Sequence, residues 1–169
     1  YLWFAYIGLT LLQTVFLMFG KMSFFDALNH SLSTVATGGF STKNMSIGYY
    51  NSSYIDGVIT FFMIISGINF VLHFKLLSGN FRGLIKNTEL KAYLLIFFSA
   101  TAAIVLSLYG NTYSTISDCL RFASFQAASI LTTTGFVTDD YDKWTYFGQM
   151  VLFSLMFIGG CSGSTSGGI

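Results

Sequence analysis

Charged residues are absent from four long stretches of the chain, and each stretch consists mainly of apolar side chains. The four stretches cover residues 1–20, 57–72, 92–111 and 145–169. A helix needs about 20 mainly apolar residues to cross the hydrocarbon core of a bilayer, and somewhat fewer when flanking side chains reach the interface. The pattern therefore predicts membrane-spanning helices at about residues 1–20, 54–73, 91–109 and from residue 144 onward.

One segment between the apolar stretches occurs twice. Residues 24–40 (FFDALNHSLSTVATGGF) align without a gap with residues 120–136 (LRFASFQAASILTTTGF), at a constant separation of 96 positions. The identical pairs are Ala27/Ala123, Ser33/Ser129, Thr37/Thr133, Gly39/Gly135 and Phe40/Phe136. Each copy has one apolar stretch before it and another after it. We therefore predict a single structural unit written twice.

The middle of each copy is too short to cross a bilayer. Residues 24–35 would form about 18 Å of helix at a rise of 1.5 Å per residue. The sequence therefore predicts two half-helices that enter the membrane and stop partway, at residues 24–35 and 117–131. Ser23 with Asp26 resembles a capping box, and Ser117 with Asp118 offers a cap to the second copy. We expect both half-helices to begin at the water side.

Basic residues cluster between the two copies. Lys75, Arg82, Lys86 and Lys91 are opposed there only by Glu89. By the positive-inside rule this linker is cytoplasmic, and the half-helices then open to the outside. The predicted domains are an M1–pore–M2 unit at residues 1–75, a cytoplasmic linker at 76–90 and a second unit at 91–169.

The composition indicates a membrane protein. The chain is 53% hydrophobic and only 9% charged, whereas soluble domains contain about 25% charged residues. A net charge of +1 gives no general attraction to nucleic acid, so we expect no nucleic-acid partner. No nucleophile elbow, H-E-x-x-H motif or paired intramembrane carboxylate occurs, so an enzyme is not predicted. Cys119 and Cys161 lie in apolar surroundings and are predicted to be buried free thiols.

Both copies of the repeat end in a run of Thr and Gly. β-branched residues disfavour continued helix, and glycine tolerates positive φ. Non-helical backbone at membrane depth is costly unless it lines water or an ion path. An extended strand there would direct its carbonyl oxygens at one axis, where they can replace the hydration shell of a cation. Since helix C-termini add partial negative charge, the runs predict a pathway for a cation.

Several motifs together resemble a known family. TVATGGFST followed by SIGYYNSS, then ISGINFVLHFKLLSGN, SILTTTGF and FIGGCSGSTSGGI are similar to the membrane subunit of bacterial potassium uptake systems of the Trk/Ktr/HKT superfamily, in particular its TrkH branch. The resemblance covers essentially the whole chain. It implies an all-α membrane protein with repeated M1–pore helix–filter–M2 units of the potassium-channel-like type, four around one pore. The chain resembles the second and third units, and thus an internal fragment of a longer protein.

The resemblance also implies functional residues and partners. The potassium filter would include Ala36, Thr37, Gly38, Gly39, Thr132, Thr133, Thr134 and Gly135. The family's intramembrane gate loop would include Gly159, Gly160, Ser162, Gly163, Ser164, Thr165, Gly167 and Gly168. The family further implies a homodimer in the bilayer of the bacterial cytoplasmic (inner) membrane, with a cytosolic nucleotide-binding regulatory subunit of the TrkA type. No cofactor is expected, and potassium is the transported ligand.

Other interpretations compete with this one. The alternative function is a sodium- or proton-coupled secondary transporter built from broken helices, although such folds usually pair inverted repeats and these two copies share an orientation. A purely structural membrane subunit would not need two Thr/Gly runs in register. Residues 159–168 lack the Lys of a phosphate-binding loop, and Gly163 and Gly167 are also compatible with close helix packing.

The polar residues near both runs allow two interpretations as well. An acidic group, Asp139, Asp140 and Asp142, either concentrates cations in an outer vestibule or forms a solvated loop. His30 and Gln126 occupy the same position in the two copies, and we expect them to buttress the half-helices. The basic residues outside the linker are predicted to anchor the chain at the membrane interface: Lys21, Lys43, Arg121 and Lys143.

Overall fold

The computed structural model describes residues 2–77 and 87–168, and it is helical. The described residues form seven α-helices: α1 (Leu2–Phe19), α2 (Phe24–Val35), α3 (Ser53–Ser66), α4 (Phe70–Leu77), α5 (Thr88–Leu108), α6 (Ile116–Leu131) and α7 (Tyr146–Leu155). Two short 3-10 helices lie at Ser46–Tyr50 and Tyr141–Lys143. Since these parts of the chain contain no β-strand, the all-α prediction is confirmed. Arg82 and Lys86 of the predicted linker lie outside the described residues.

Short helices lie at both places where half-helices were predicted, Phe24–Val35 and Ile116–Leu131. α2 covers residues 24–35 as predicted, and the Ser23 hydroxyl accepts a hydrogen bond from the Asp26 N–H at 3.1 Å. The predicted cap of α6 is wrong. Thr115, rather than Ser117, accepts from the Asp118 N–H at 3.2 Å. The Thr115 hydroxyl also donates to the Asp118 carboxylate at 2.6 Å, so the two side chains satisfy each other and start the helix at Ile116.

The predicted continuous helix at residues 54–73 is wrong, because the helix is broken at residues 67–69. α3 ends at Ser66 and α4 begins at Phe70. Asn69 Oδ1 accepts from the Val71 N–H at 2.8 Å and so caps α4. An Asn side chain that binds nearby backbone competes with helix formation. We call residues 67–69 the α3–α4 break.

The lengths of the apolar helices differ. Among the described residues, α5, with 21 residues, is the one helix long and apolar enough by itself to cross a membrane. Shorter apolar helices lie at Trp3–Phe19, Ser53–Ser66 and Tyr146–Leu155. The last of these was expected from residue 144 onward, and it begins at Tyr146 with Thr145 as its N-cap. It ends at Leu155, shortly before residues 159–168, which we call the Gly-rich loop.

The helices pack as two similar groups. α1, α2 and α3 contact one another, and so do α5, α6 and α7. The two groups meet where α3 packs on α6. Phe62 and Met63 of α3 and Phe125 of α6 are among the largest fully buried side chains. Each half-helix is therefore held between the helix before it and the helix after it.

A buried ion pair joins the two groups. Arg121 Nε of α6 lies 2.7 Å from Asp56 Oδ2 of α3, and the Asp56 side chain is only 3% exposed. Arg121 was expected to be an interface anchor, and this is wrong because its guanidinium compensates the one charge of α3. A charge inside a membrane segment requires a partner of this kind. Two of the predicted anchors are lysines that also form ion pairs: Lys43 contacts Asp26, and Lys143 contacts Asp140.

Candidate functional site

The first Thr/Gly run forms a tight turn at the end of α2. The Thr37 N–H donates to the Thr34 carbonyl at 3.0 Å, and the Gly38 N–H donates to the Ser33 carbonyl at 2.7 Å. Thr37 and Gly39 both have positive φ, 50° and 68°. A β-branched residue rarely adopts this conformation. We call residues 36–39 the first Thr/Gly turn.

The second run repeats this turn at the end of α6. The Thr133 N–H donates to the Ile130 carbonyl at 3.0 Å, and the Thr134 N–H donates to the Ser129 carbonyl at 2.9 Å. Thr133 and Gly135 have φ values of 54° and 86°. Each bond and each positive φ has its counterpart 96 positions earlier. Residues 132–135, the second Thr/Gly turn, thus share the backbone conformation of the first.

The two turns lie against each other. A Cβ on Gly39 would overlap the Thr134 carbonyl oxygen and would lie 3.0 Å from its carbonyl carbon. A Cβ on Gly135 would meet nothing within 4 Å in the described part of the chain. Glycine is therefore required at position 39 by its φ and by the neighbouring backbone, and at position 135 by its φ.

Most carbonyl oxygens of the two turns have no intramolecular donor in the described part of the chain. Among the described residues, no N–H or O–H group donates to the carbonyls of Thr37, Gly38, Thr132, Thr133 or Thr134. The Ala36 carbonyl lies 2.8 Å from the hydroxyl of its neighbour Thr37. Backbone acceptors without donors require water or a ligand. The described residues hold no group of three or more His, Cys, Asp or Glu that could bind a metal.

His30 connects α2 with the residues that follow the first turn. His30 Nδ1 lies 2.7 Å from the Asp26 carbonyl and therefore carries the proton, while Nε2 lies 2.9 Å from the Ser41 hydroxyl. The fully buried ring also lies 6.0 Å from the ring of Phe136. These contacts tie α2 to the chain that follows the first turn. The predicted buttressing role of His30 agrees with this geometry, and Gln126 is likewise buried.

The segments that follow the two turns are hydrogen-bonded to each other. The Gly48 N–H donates to the Val137 carbonyl at 3.1 Å, and the Val137 N–H donates to the Ser46 hydroxyl at 3.2 Å. A Cβ on Gly48 would lie 2.7 Å from the Thr138 carbonyl oxygen. The 3-10 helix after the first turn therefore holds the backbone after the second.

Two of the three acidic residues after the second turn are engaged locally. The Tyr113 hydroxyl donates to the Asp139 carboxylate, and the Trp144 indole N–H donates to the Tyr113 oxygen at 3.2 Å. Lys143 lies 3.0 Å from Asp140 and holds the pKa of that carboxyl below its ordinary value. These contacts favour a structured solvated loop.

The first half of the Gly-rich loop, residues 159–163, sits on the α3–α4 break. The Cys161 N–H donates to the Gly67 carbonyl at 2.9 Å, and the Phe70 N–H donates to the Gly163 carbonyl at 3.1 Å. Ser162 is held on both sides, because its N–H lies 2.5 Å from Glu89 Oε1 and its carbonyl accepts from Asn69 Nδ2 at 2.6 Å. The break, the first residue of α4 and Glu89 of α5 together position this half.

The second half of the loop, residues 164–168, lies against the two Thr/Gly turns. The Thr37 hydroxyl donates to the Thr165 carbonyl at 2.8 Å, and the Gly167 N–H donates to the Thr133 hydroxyl at 2.7 Å. The Thr165 hydroxyl donates to the Val35 carbonyl at 2.8 Å. The Gly160 N–H donates to the Gly167 carbonyl at 3.2 Å, so the loop folds back on itself.

The structure thus brings together the residues that the sequence singled out. Both Thr/Gly turns and Gly159, Gly160, Ser162, Gly163, Ser164, Thr165, Gly167 and Gly168 form one continuous site. Sequence reasoning missed the α3–α4 break and the Asp56–Arg121 pair. Gly67 and Asn69 inside one apolar stretch were the available signal for the break, and a lone Asp near the start of a predicted membrane helix was the signal for the pair.

Comparison with known proteins agrees with this architecture. The Trk system potassium uptake protein TrkH of Escherichia coli strain K12 is 41% identical over 99% of this chain and 35% of its own length. TrkH of Vibrio parahaemolyticus is 38% identical over 99% of this chain and 36% of its own. The chain spans about a third of the length of these curated relatives.

A solved structure extends the similarity to three dimensions. The crystal structure of the potassium transporter TrkH from Vibrio parahaemolyticus matches with a TM-score of 0.94 at 38% identity, covering 99% of this chain and 36% of that one. The fold is therefore that of a helical membrane transporter. A family model described as a cation transport protein, TrkH, matches residues 1–169. Because that match covers the whole sequence, the chain belongs to the TrkH family.

Proposed function

We propose that this chain forms part of the pathway of a bacterial potassium uptake system, as the second and third of four M1–pore–M2 units. The observation that carries the proposal is the pair of Thr/Gly turns, which share one conformation, touch through Gly39 and Thr134, and offer carbonyls without donors. The relatives are named potassium uptake proteins, which supports potassium as the cation. Transport of this kind requires no enzymatic step.

The filter in this proposal works by replacing water around the ion. Carbonyls of Ala36, Thr37 and Gly38 and of Thr132, Thr133 and Thr134 take the place of the hydration shell. Gly39 and Gly135 permit the backbone conformation that exposes these oxygens. The C-terminal ends of α2 and α6 add partial negative charge beside them, which favours cations over anions.

The Gly-rich loop is the gate in this proposal. It contacts both turns at their helix side, where an ion that leaves the filter would continue. Loop residues that bond to Thr37 and Thr133 must move to let an ion pass. The glycines provide the backbone freedom for that movement.

Membership of the family supports a particular assembly. We infer a homodimer in the inner membrane that binds a cytosolic nucleotide-binding subunit of the TrkA type. The Thr/Gly turns would open to the outside, and the linker at residues 76–90 would face the cytoplasm. Co-purification of the complete protein with its regulatory subunit tests the partner, and accessibility of cysteines placed in the linker tests the orientation.

A selectivity assay tests the filter. Gly135→Ser in the complete transporter should abolish potassium uptake or reduce its preference over sodium, because it disturbs the carbonyls of the second turn. Gly57→Ser is the matched control, since a Cβ on Gly57 in α3 also meets nothing within 4 Å. The measurement is rubidium and sodium flux in proteoliposomes. Unchanged uptake and selectivity in Gly135→Ser would contradict the proposal, and coupling of the flux to a proton or sodium gradient would favour a secondary transporter.

A further inference from the structure

The two halves of the Gly-rich loop are attached by different kinds of contact. The first half is bonded to the α3–α4 break and to the starts of α4 and α5: Cys161 to Gly67 and Gly163 to Phe70 through backbone groups, and Ser162 to the side chains of Asn69 and Glu89. The second half contacts the Thr/Gly turns and the ends of α2 and α3 through threonine hydroxyls. Gly163, at φ 74°, stands at the junction between the halves. A rotation about this glycine would break the bond from the Gly160 N–H to the Gly167 carbonyl, whereas the bonds of the first half to Gly67 and Phe70 would remain.

Thr37 and Thr133 occupy equivalent positions in the repeat but bond to the loop in opposite senses. Thr37 shares its one hydroxyl hydrogen between the Thr165 and Ala36 carbonyls, both at 2.8 Å, whereas Thr133 accepts from the Gly167 N–H. A hydroxyl both donates and accepts, so one residue type meets both requirements. Valine, with the same shape, could meet neither. The presence of Thr at both positions is thus explained by the loop as well as by the turn.

Both threonines are also held in an uncommon conformation. Their φ values of 50° and 54° belong to the left-handed region, which β-branched residues rarely occupy. Outliers of this kind persist where the surroundings determine them, and they cluster at switch regions and ligand sites. The conformation is fixed by the N–H bonds to Thr34 and Ile130, so it does not depend on the loop. The hydroxyls therefore form a fixed platform for the loop.

We propose that Thr37 and Thr133 are positioning residues that hold the second half of the Gly-rich loop beneath the filter. Breaking these two hydrogen bonds weakens the hold on the second half, which is also bonded through Thr165 to the Val35 and Ser66 carbonyls and through Gly167 to Gly160, while the first half stays on the α3–α4 break. This deepens the proposed function, because it rests on the loop being the gate. It further assigns the moving segment to residues 164–168 and the fixed segment to residues 159–163.

The strength of the two hydrogen bonds made by Thr37 and Thr133 is suited to reversible attachment of the second half of the loop. A hydrogen bond of this type changes an equilibrium by about two- to tenfold. Removing both hydroxyls should therefore raise the population of the released loop by about tenfold or more. Removing the hydroxyl of Thr133 also leaves the Gly167 N–H without its acceptor, which further destabilises the attached position of the loop.

Thiol labelling tests the proposal independently of transport. The complete protein is prepared with every native cysteine replaced, Cys119→Ala and Cys161→Ala among them, and a single cysteine is introduced by Ser166→Cys in the second half or by Ser162→Cys in the first. The rate of reaction with a water-soluble maleimide is measured in detergent, where both faces are accessible. Each reporter is combined with Thr37→Val, Thr133→Val or both.

We expect the double valine variant to raise the labelling rate at Ser166→Cys by about tenfold and to leave the rate at Ser162→Cys within about twofold of its parent. Thr37→Ser with Thr133→Ser should label like the parent, because serine keeps the hydroxyl and loses only the methyl group. Thr34→Val is the matched control, since the Thr34 hydroxyl bonds to the His30 carbonyl within α2 at 2.6 Å.

Three results would contradict the proposal that Thr37 and Thr133 hold the second half of the loop. They are an unchanged rate at Ser166→Cys in the valine variants, an equal rise at both reporters, and a rise in the serine variants as large as in the valine variants. If the double variant does not fold, the two single valine variants decide in the same way, with about a two- to tenfold rise expected in each. A parent protein that carries no potassium would refute the proposed function, while the labelling result would still decide whether these threonines hold the loop.

Discussion

Gly39 and Thr134 come from different copies of the repeat, and their backbones are in direct contact. A Cβ on Gly39 would overlap the Thr134 carbonyl oxygen and would lie 3.3 Å from the carbonyl carbon of Gly135. Gly135 has the same backbone conformation, with φ 86° against 68°, but nothing in the described chain lies within 4 Å of its missing Cβ. The repeat is thus symmetric in its turns and asymmetric in their neighbours. In a ring of four units, the neighbour of Gly135 would be a carbonyl of the next unit.

This relationship predicts how alanine acts at the two positions. In the complete transporter we expect Gly39→Ala and Gly135→Ala to be about equally damaging. Each forces a left-handed alanine, at about 1–2 kcal/mol, and each pushes a Cβ into a neighbouring carbonyl, at about 1–3 kcal/mol more. The melting temperature in detergent and rubidium uptake measure the effect. If Gly135→Ala cost only the free energy of a left-handed alanine, the prediction that a further unit packs its backbone against the second turn would be contradicted.

The Asp56–Arg121 pair predicts a large loss of stability when it is broken. Asp56→Ala leaves the Arg121 guanidinium buried without its carboxylate, which costs about 3–5 kcal/mol. Asp56→Leu combined with Arg121→Met removes both charges and should be closer to wild type than either single variant. Asp140→Ala is the control, because the Asp140–Lys143 pair is exposed and should contribute little to stability. Additive losses in the double variant would show that the two side chains do not act as a pair.

Local features of the sequence predicted the half-helices and the turns. α2 was predicted to the residue because its cap at Ser23 and its Thr/Gly end both lie within a few positions of it. The positive φ of Thr37 and Thr133 was not predicted, since sequence reasoning assigns such conformations to glycine. These φ values accompany hydrogen bonds from the N–H groups of Thr37 and Thr133 to the carbonyls three residues earlier. The next residue with positive φ in each turn is the glycine two positions later.

Long-range partners explain what the sequence did not predict. The α3–α4 break is stabilised by Cys161 and Gly163, more than 90 positions away, and a local pattern of Gly and Asn does not reveal that these partners exist. Arg121 reaches Asp56 across 65 positions, so its nearest neighbours in sequence suggested an interface anchor. Contacts between separate repeat units are the part of the site that needed the structure.

Asp26 predicts a pH dependence on the side of the molecule where α2 begins. The Thr42 hydroxyl donates to its carboxylate at 2.6 Å and Lys43 lies 3.3 Å away, and together they lower the pKa of Asp26 from 3.8 to about 2. A lowered pKa means that the stabilisation is complete above about pH 4 and is lost as the pH falls towards 2. The difference in melting temperature between wild type and Asp26→Asn should hold from pH 7 to 5 and shrink below pH 4.

Thr42→Val separates this effect from general acid sensitivity. It removes the largest cause of the lowered pKa, so the stabilisation should begin to disappear at a higher pH than in wild type. Melting temperatures of wild type, Asp26→Asn and Thr42→Val between pH 7 and 2.5 provide the comparison. A gap between wild type and Asp26→Asn that persists undiminished at the lowest pH would contradict the prediction.

Gly67 links the α3–α4 break to the Gly-rich loop, and its substitution has a predicted partial rescue. A Cβ there would overlap the Tyr93 hydroxyl and would lie 2.9 Å from Thr132 Cγ2. We expect Gly67→Ala to cost about 1–3 kcal/mol through overpacking and to weaken the bond from the Cys161 N–H to the Gly67 carbonyl. Gly148→Ala is the control, because a Cβ on Gly148 in α7 would lie no closer than 3.4 Å to any neighbour, the Thr145 hydroxyl oxygen, which is ordinary van der Waals contact.

Tyr93→Phe should restore part of that loss, because it removes the atom nearest to the new Cβ. The rescue should be incomplete, since Thr132 Cγ2 and the Tyr93 ring carbon at 3.1 Å remain. Tyr93→Phe alone removes the bond from the Tyr93 hydroxyl to the Ile64 carbonyl at 3.2 Å and should cost about 1 kcal/mol. Melting temperatures of the two single variants and the double variant form a thermodynamic cycle, in which a double variant less stable than the sum of the single losses would rule out this contact as the cause.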